Sequence, residues 1–201
     1  MKTGIRFTCL KNGDNLLGQN WEYKGKTGVE AIQEKLNTMF YLVDDLSIDY
    51  IIDTLYIGKG SANDLYLPNT GINGDLWPVI ERLQQYQQLS SKYNKKILIE
   101  LEFPTDVTEY NYQQYAQYAV DVIGKFPFIS YWQIMTTPEA INKVTNEYKC
   151  PPGLYVQIIK YIADIVHTNL KNVKIGGPGS FDAINEYVNS AYKNSDKQVF
   201  H

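Results

Sequence analysis

A chain of 201 residues is long enough for one domain with a sizeable core. With 44% hydrophobic and 20% charged residues its composition is globular, and a net charge of -3 leaves no basic excess to neutralise phosphates, so nucleic acid is not an expected partner. No stretch reaches the roughly 18–20 apolar residues of a membrane span, and the start MKTGIRFTCLKNGDN has no apolar run of signal-peptide length.

The product is therefore expected to be soluble; its place is left open, a virion and the cytoplasm being the two considered. Tyrosine is abundant, 17 against 7 Phe. Tyr offers an apolar face and a polar tip, which suits sugar-binding and protein interfaces. A compositional habit explains the same count. Cys9 and Cys150 lie far apart and outside any CxxC or His/Cys cluster. No metal and no cofactor are expected.

GIRFTCL (4–10) reads as a short strand, and residues 12–28 as a long turn-rich loop. Ile32, Leu36, Met39, Phe40 and Val43 recur at spacings of three and four, so 29–43 is a helix. Thr27 and Glu30 have the spacing of a capping box at its start. IDYIIDTLYIG (48–58) is β-branched and aromatic, hence a strand, and 59–75 reads as a second long loop.

Residues 76–93 are helical, with Asp75 as cap and Pro78 in the first turn. KKILIELEFP (95–104) is a strand ended by Pro104. Residues 111–126 form a helix closed by Gly124, and FISYWQIM (128–135) is a strand. In 153–170 a helix puts Tyr155, Ile158, Ile159, Ile162, Ile165 and Val166 on one face. NVKIGGPGS (172–180) is a strand entering a Gly-Pro corner. A helix at 182–193 and a strand opening at 197–201 complete the chain.

Strand and helix alternate about five times, which implies a parallel sheet with right-handed crossovers. An open doubly wound sheet and a (β/α)8 barrel both satisfy that order. A complete barrel typically needs about 250 residues. The absence of GxGxxG and GxxxxGK[ST] weakens a nucleotide-binding open sheet. The expected fold is α/β: parallel (β/α) units of TIM-barrel type in an incomplete barrel, one domain over 1–201.

Three corners carry a resemblance. ILIELEFP resembles the third strand of clan A glycoside hydrolases. YWQIMTTPEA resembles their fourth-strand motif W-E-x-W-N-E-P, and VKIGGPGS the next strand of the xylosidase and iduronidase-like family 39. The likeness is closest over residues 76–182. Residue by residue, Trp132 matches the motif's Trp, and Gln133 stands where Glu is usual. Met135 replaces the second aromatic. Thr136 replaces the Asn that binds a sugar hydroxyl. Thr137 replaces the general acid/base Glu, and Pro138 matches. The resemblance thus implies a substrate-binding set of Trp132, Gln133 and Thr136, with a place in the core an equal expectation for Trp132, and a degenerate acid/base position at Thr137.

A retaining glycosidase needs two carboxyl groups about 5 Å apart. A threonine hydroxyl does not titrate in the useful range, so it cannot replace the acid. Glu139 lies two residues past Thr137 and is the candidate acid if the corner is shifted; a solvated glutamate at a helix start is the plainer reading. Glu100 and Glu102 alternate on the third strand, so they share a face, and structural pairing is favoured over catalysis. His167 and His201 stand alone in the sequence.

Two functional classes remain open. One is a non-catalytic glycoside-hydrolase-like module, binding carbohydrate or protein within a larger phage or cell-surface assembly. Its open strand edges would pair with other protein chains. The other is the N-terminal portion of an active glycoside hydrolase whose remaining strands lie beyond this chain.

Overall fold

The computed structural model describes residues 4–6, 22–57, 65–66, 77–104, 107–136, 138, 141–142, 147–148 and 150–178. In chain order these form β1 (Gly4–Arg6), β2 (Glu22–Tyr23), β3 (Lys26–Thr27), α1 (Gly28–Asp45), β4 (Tyr50–Ile57), β5 (Leu65–Tyr66) and α2 (Trp77–Tyr93). There follow β6 (Lys96–Glu102), α3 (Tyr112–Lys125), β7 (Tyr131–Ile134), β8 (Ile141–Asn142), β9 (Glu147–Tyr148), α4 (Pro152–Asn169) and β10 (Lys174–Gly176). Asp75, the helix at 182–193 and the strand at 197–201 lie outside the described residues.

The main sheet has the order β1-β4-β6-β7-β10, and every neighbouring pair on that path is parallel. Strand order equals chain order, so every crossover steps the same way. Right-handed crossovers then place their helices on one face. The core agrees. Leu36 and Phe40 of α1, Leu83 and Tyr86 of α2, Val122 of α3 and Ile158 of α4 join one buried cluster. Ile51, Leu55 and Ile57 of β4 and Ile97, Ile99 and Leu101 of β6 join the same cluster. These strand positions are all odd-numbered, as a period of two demands of a single face. A doubly wound sheet would carry helices on both faces. Each fully buried Leu, Ile or Phe contributes about 1.5–3 kcal/mol.

Several expectations need correction in detail. Residues 12–28 are not wholly loop: β2 and β3 form an antiparallel hairpin, Glu22 opposite Thr27 and Tyr23 opposite Lys26. Lys24 (φ 50°) and Gly25 (φ 73°) are both left-handed, as a two-residue type I′ turn requires. Thr27 is the residue before α1, but its side chain makes no capping bond; it belongs to the hairpin ladder instead. In the second long loop, β5 pairs antiparallel with the end of β4. A further antiparallel pair, β8 with β9, follows the Thr-Thr-Pro corner and was not expected. α3 runs past Gly124 to Lys125. β7 starts later than expected because the Ile129 N–H closes a turn onto the Phe126 carbonyl.

The hairpin is tied to α1 by charge. Lys24 and Lys26 each lie 3.4 Å from the Glu34 carboxylate. The Lys26 hydrogen bond, and next that of Lys24, hold the Glu34 carboxyl below its ordinary value of 4.5. A lowered carboxyl pKa contributes stability above its unfolded value, and that contribution is lost as pH falls through the folded value. An NMR titration is expected to place the Glu34 midpoint below 4.5, and Lys26→Met to raise it more than Lys24→Met. Equal shifts would show that the two ammonium groups act alike.

Candidate functional site

The even-numbered residues of β4 and β6 lie on the sheet face away from the helices. The register sets Thr54 beside Glu100 and Glu100 beside Gln133. One step further along, Tyr56 lies beside Glu102. Both glutamates are buried, Glu100 at 2% and Glu102 at 5% exposure. Buried carboxylates require hydrogen-bond partners. The Thr54 hydroxyl donates to Glu100 Oε2 at 2.6 Å. The Thr136 backbone N–H donates to Glu102 Oε1 at 2.6 Å. Glu102 therefore braces the corner that leaves β7.

That corner is costly locally. The Met135 N–H continues the parallel ladder to the Leu101 carbonyl at 2.9 Å. Met135 then turns left-handed (φ 52°), although it is a bulky side chain that is 1% exposed. Such a conformation costs roughly 1–3 kcal/mol and tends to occur at functional sites. Thr136 Oγ1 is buried, with no hydrogen-bond partner among the described residues. An unsatisfied buried hydroxyl costs about 1–3 kcal/mol more. From behind, α4 fixes β7: the Tyr155 hydroxyl donates to the Ile134 carbonyl at 2.8 Å.

The structure divides the residues singled out from sequence. Gln133 sits on the glutamate face beside Glu100, and Thr136 touches Glu102 through its backbone. Trp132 pairs with Ile99 and Ile175, on the opposite, helix-facing side. It is 1% exposed, and its indole N–H donates to the Ile129 carbonyl at 3.0 Å. Of the two places expected for it, a stacking surface and the core, the ring occupies the core. Thr137 and Glu139 lie outside the described residues.

Sequence reasoning missed Asp53. It is fully buried on the helix side of β4, where Ile51 and Leu55 flank it in the alternation. The Tyr86 hydroxyl donates to its Oδ2 at 2.8 Å, and the Thr54 N–H to its Oδ1 at 2.8 Å. An acid at an apolar parity position was the available signal. Among the described residues, no group of three or more His, Cys, Asp or Glu side chains has the arrangement of a metal site. No described helix is long and apolar enough to cross a membrane.

No protein-family model matches the chain. No curated protein matches it either. Among solved structures, the fold is similar to the crystal structure of a glucosidase from Croceicoccus marinus, with a TM-score of 0.50 and 10% sequence identity. The match covers 78% of this chain, and the chain spans 36% of that structure's length. At this identity the likeness is one of fold alone: a mixed α/β arrangement with a parallel sheet.

Proposed function

We propose that this chain is a glycoside-hydrolase-like module that binds but does not cleave. In this reading its parallel units are the first part of a (β/α)8-type barrel related to the xylosidase and iduronidase-like family 39. The observation that carries it is the use made of the two buried glutamates. Glu100 accepts a short hydrogen bond from Thr54 of β4, and Glu102 one from Thr136 in the corner that leaves β7, so both tie β6 to its neighbours. A catalytic acid or nucleophile has to face the reacting bond. The fourth-strand acid position is written as Thr137, which cannot fill that role.

The ligand expected at this end of the sheet is a carbohydrate, because ligands of parallel α/β folds lie beyond the carboxyl ends of the strands. Gln133 and Thr136 are the proposed contacts, with the buried Thr136 hydroxyl exposed to ligand only when the corner opens. The module would work within a larger assembly, such as a phage or cell-surface particle. β1 and β10 end the path of described strands, and pairing there with other chains is the proposed means of docking. A second reading is the N-terminal portion of an active glycosidase; what supports it is the likeness in fold to a glucosidase.

The test is a panel of aryl glycosides offered to the wild type, Thr137→Glu and Glu139→Gln. No turnover by any of them is expected. General acid–base help is worth about 10²–10⁴ in rate. Wild-type turnover that disappears in Glu139→Gln would establish the enzyme reading, with Glu139 as the acid.

A further inference from the structure

At the opposite, amino end of the sheet, Tyr50, Lys96, Tyr131 and Lys174 are the first residues of β4, β6, β7 and β10. Register pairs Tyr50 with Lys96 and Lys174 with Tyr131. All four are on the face away from the helices, by parity with Glu100 and Gln133. The Lys96 ammonium donates to the Tyr131 hydroxyl oxygen at 3.3 Å. It also lies 5.6 Å from the Tyr131 ring centroid and 6.0 Å from that of Tyr50. The Tyr50 ring packs edge-on against Tyr131, centroids 5.5 Å apart at 74°. Lys96 and Lys174 are exposed, and Tyr131 is partly so.

We propose that Tyr131 is a nucleophilic tyrosine, a covalent-modification site for sulfonyl electrophiles, created by the Lys96 ammonium on its phenol oxygen, with Lys174 as its strand neighbour and the Tyr50 ring packed edge-on beside it. A phenol reacts as its phenolate, and a cation fixed against the oxygen favours that form. The Lys96 hydrogen bond, then that of Tyr50, hold the Tyr131 hydroxyl below its ordinary value of 10.0, against burial, which works the other way. Lys174 adds to the effect through its charge. Lys96 in turn is held above 10.5, chiefly by Tyr131, so it remains an ammonium while the phenol ionises. Asp49, just before β4, is the acid facing this group; it acts on Lys96 in the same upward direction.

The reaction is a simple exchange. The phenol proton passes to a buffer base. The phenolate oxygen forms a bond to sulfur, the S–F bond breaks, and fluoride leaves with its electron pair. The product is an aryl sulfonate ester of Tyr131, and nothing is oxidised or reduced. Because the site is at the amino end of the strands, it does not depend on the carbohydrate reading.

Tyr110, 99% exposed on the turn before α3, is the internal comparison for accessibility alone. The experiment treats the full chain with benzenesulfonyl fluoride across a pH series and follows each tyrosine by peptide mass spectrometry. Tyr131 is expected to be labelled faster than Tyr110 despite its lower exposure. Its rate should rise with pH through a midpoint below 10.0. In Lys96→Met the Tyr131 rate should fall to that of Tyr110 or below, and its midpoint should move up. Tyr50→Phe, which keeps the ring, should move it less. Wild-type labelling of Tyr131 no faster than Tyr110, label on Lys96 instead, or a Tyr131 rate unchanged by Lys96→Met would each overturn the proposal.

Discussion

Trp132→Ala is expected to destabilise the chain by about 3–5 kcal/mol, the range for removing a buried aromatic side chain. The ring is 1% exposed, lies in the core cluster with Ile99 and Ile175 as strand neighbours, and satisfies the Ile129 carbonyl. Domains of this size have only about 5–15 kcal/mol in total. A large fall in the denaturant midpoint at unchanged slope is the predicted result. If the indole were a sugar platform instead, its removal would leave the midpoint alone and abolish carbohydrate binding.

Glu102→Ala is the second large effect. It removes the acceptor of the Thr136 N–H and leaves the left-handed Met135 corner without its brace. A hydrogen bond contributes about 0.5–1.5 kcal/mol net, and a buried donor left without its acceptor costs about 1–3 kcal/mol. Glu102→Gln retains a carbonyl oxygen for the same N–H and is expected to recover most of the loss. Thermal or denaturant unfolding of both variants checks this. Equal stability of Glu102→Ala and the wild type would mean that the corner is held by something else.

The helices were legible because their apolar spacing is regular. Leu36, Phe40 and Val43, and likewise Tyr155, Ile158, Ile159 and Ile162, are buried as the spacing predicts. The sequence order of the parallel strands was legible for a similar reason, since each strand is followed by a helix long enough to cross back. The alternation of Glu100 and Glu102 also read correctly as a shared face.

The same period of two contained a further result that motif matching obscured. If Gln133 lies on the glutamate face, Trp132 must lie on the other, so both cannot line one site. Asp53 was hidden in an otherwise apolar run, because only the sheet's parity shows that it faces the helices and meets Tyr86.

The short hairpins were not legible. The β2–β3 turn places Lys24, a non-glycine residue, at positive φ, and Lys-Gly is a weaker turn signal than Asn-Gly or Asp-Gly. β8 and β9 are two-residue strands, too short to show alternation. The left-handed Met135 had no local cue at all, since nothing in Met chemistry favours that conformation; the bonds to Leu101 and Glu102 impose it.

The central claim is that the buried glutamates of β6 hold the structure and do not act on a substrate. Its most direct test is the initial rate of aryl glycoside hydrolysis by wild type, Glu100→Gln and Glu102→Gln, measured beside their unfolding midpoints. The account predicts no turnover in any of the three, with only a small loss of midpoint in Glu102→Gln, which keeps an acceptor for the Thr136 N–H. Wild-type turnover that vanishes in Glu102→Gln or Glu100→Gln while the midpoint stays unchanged would contradict it.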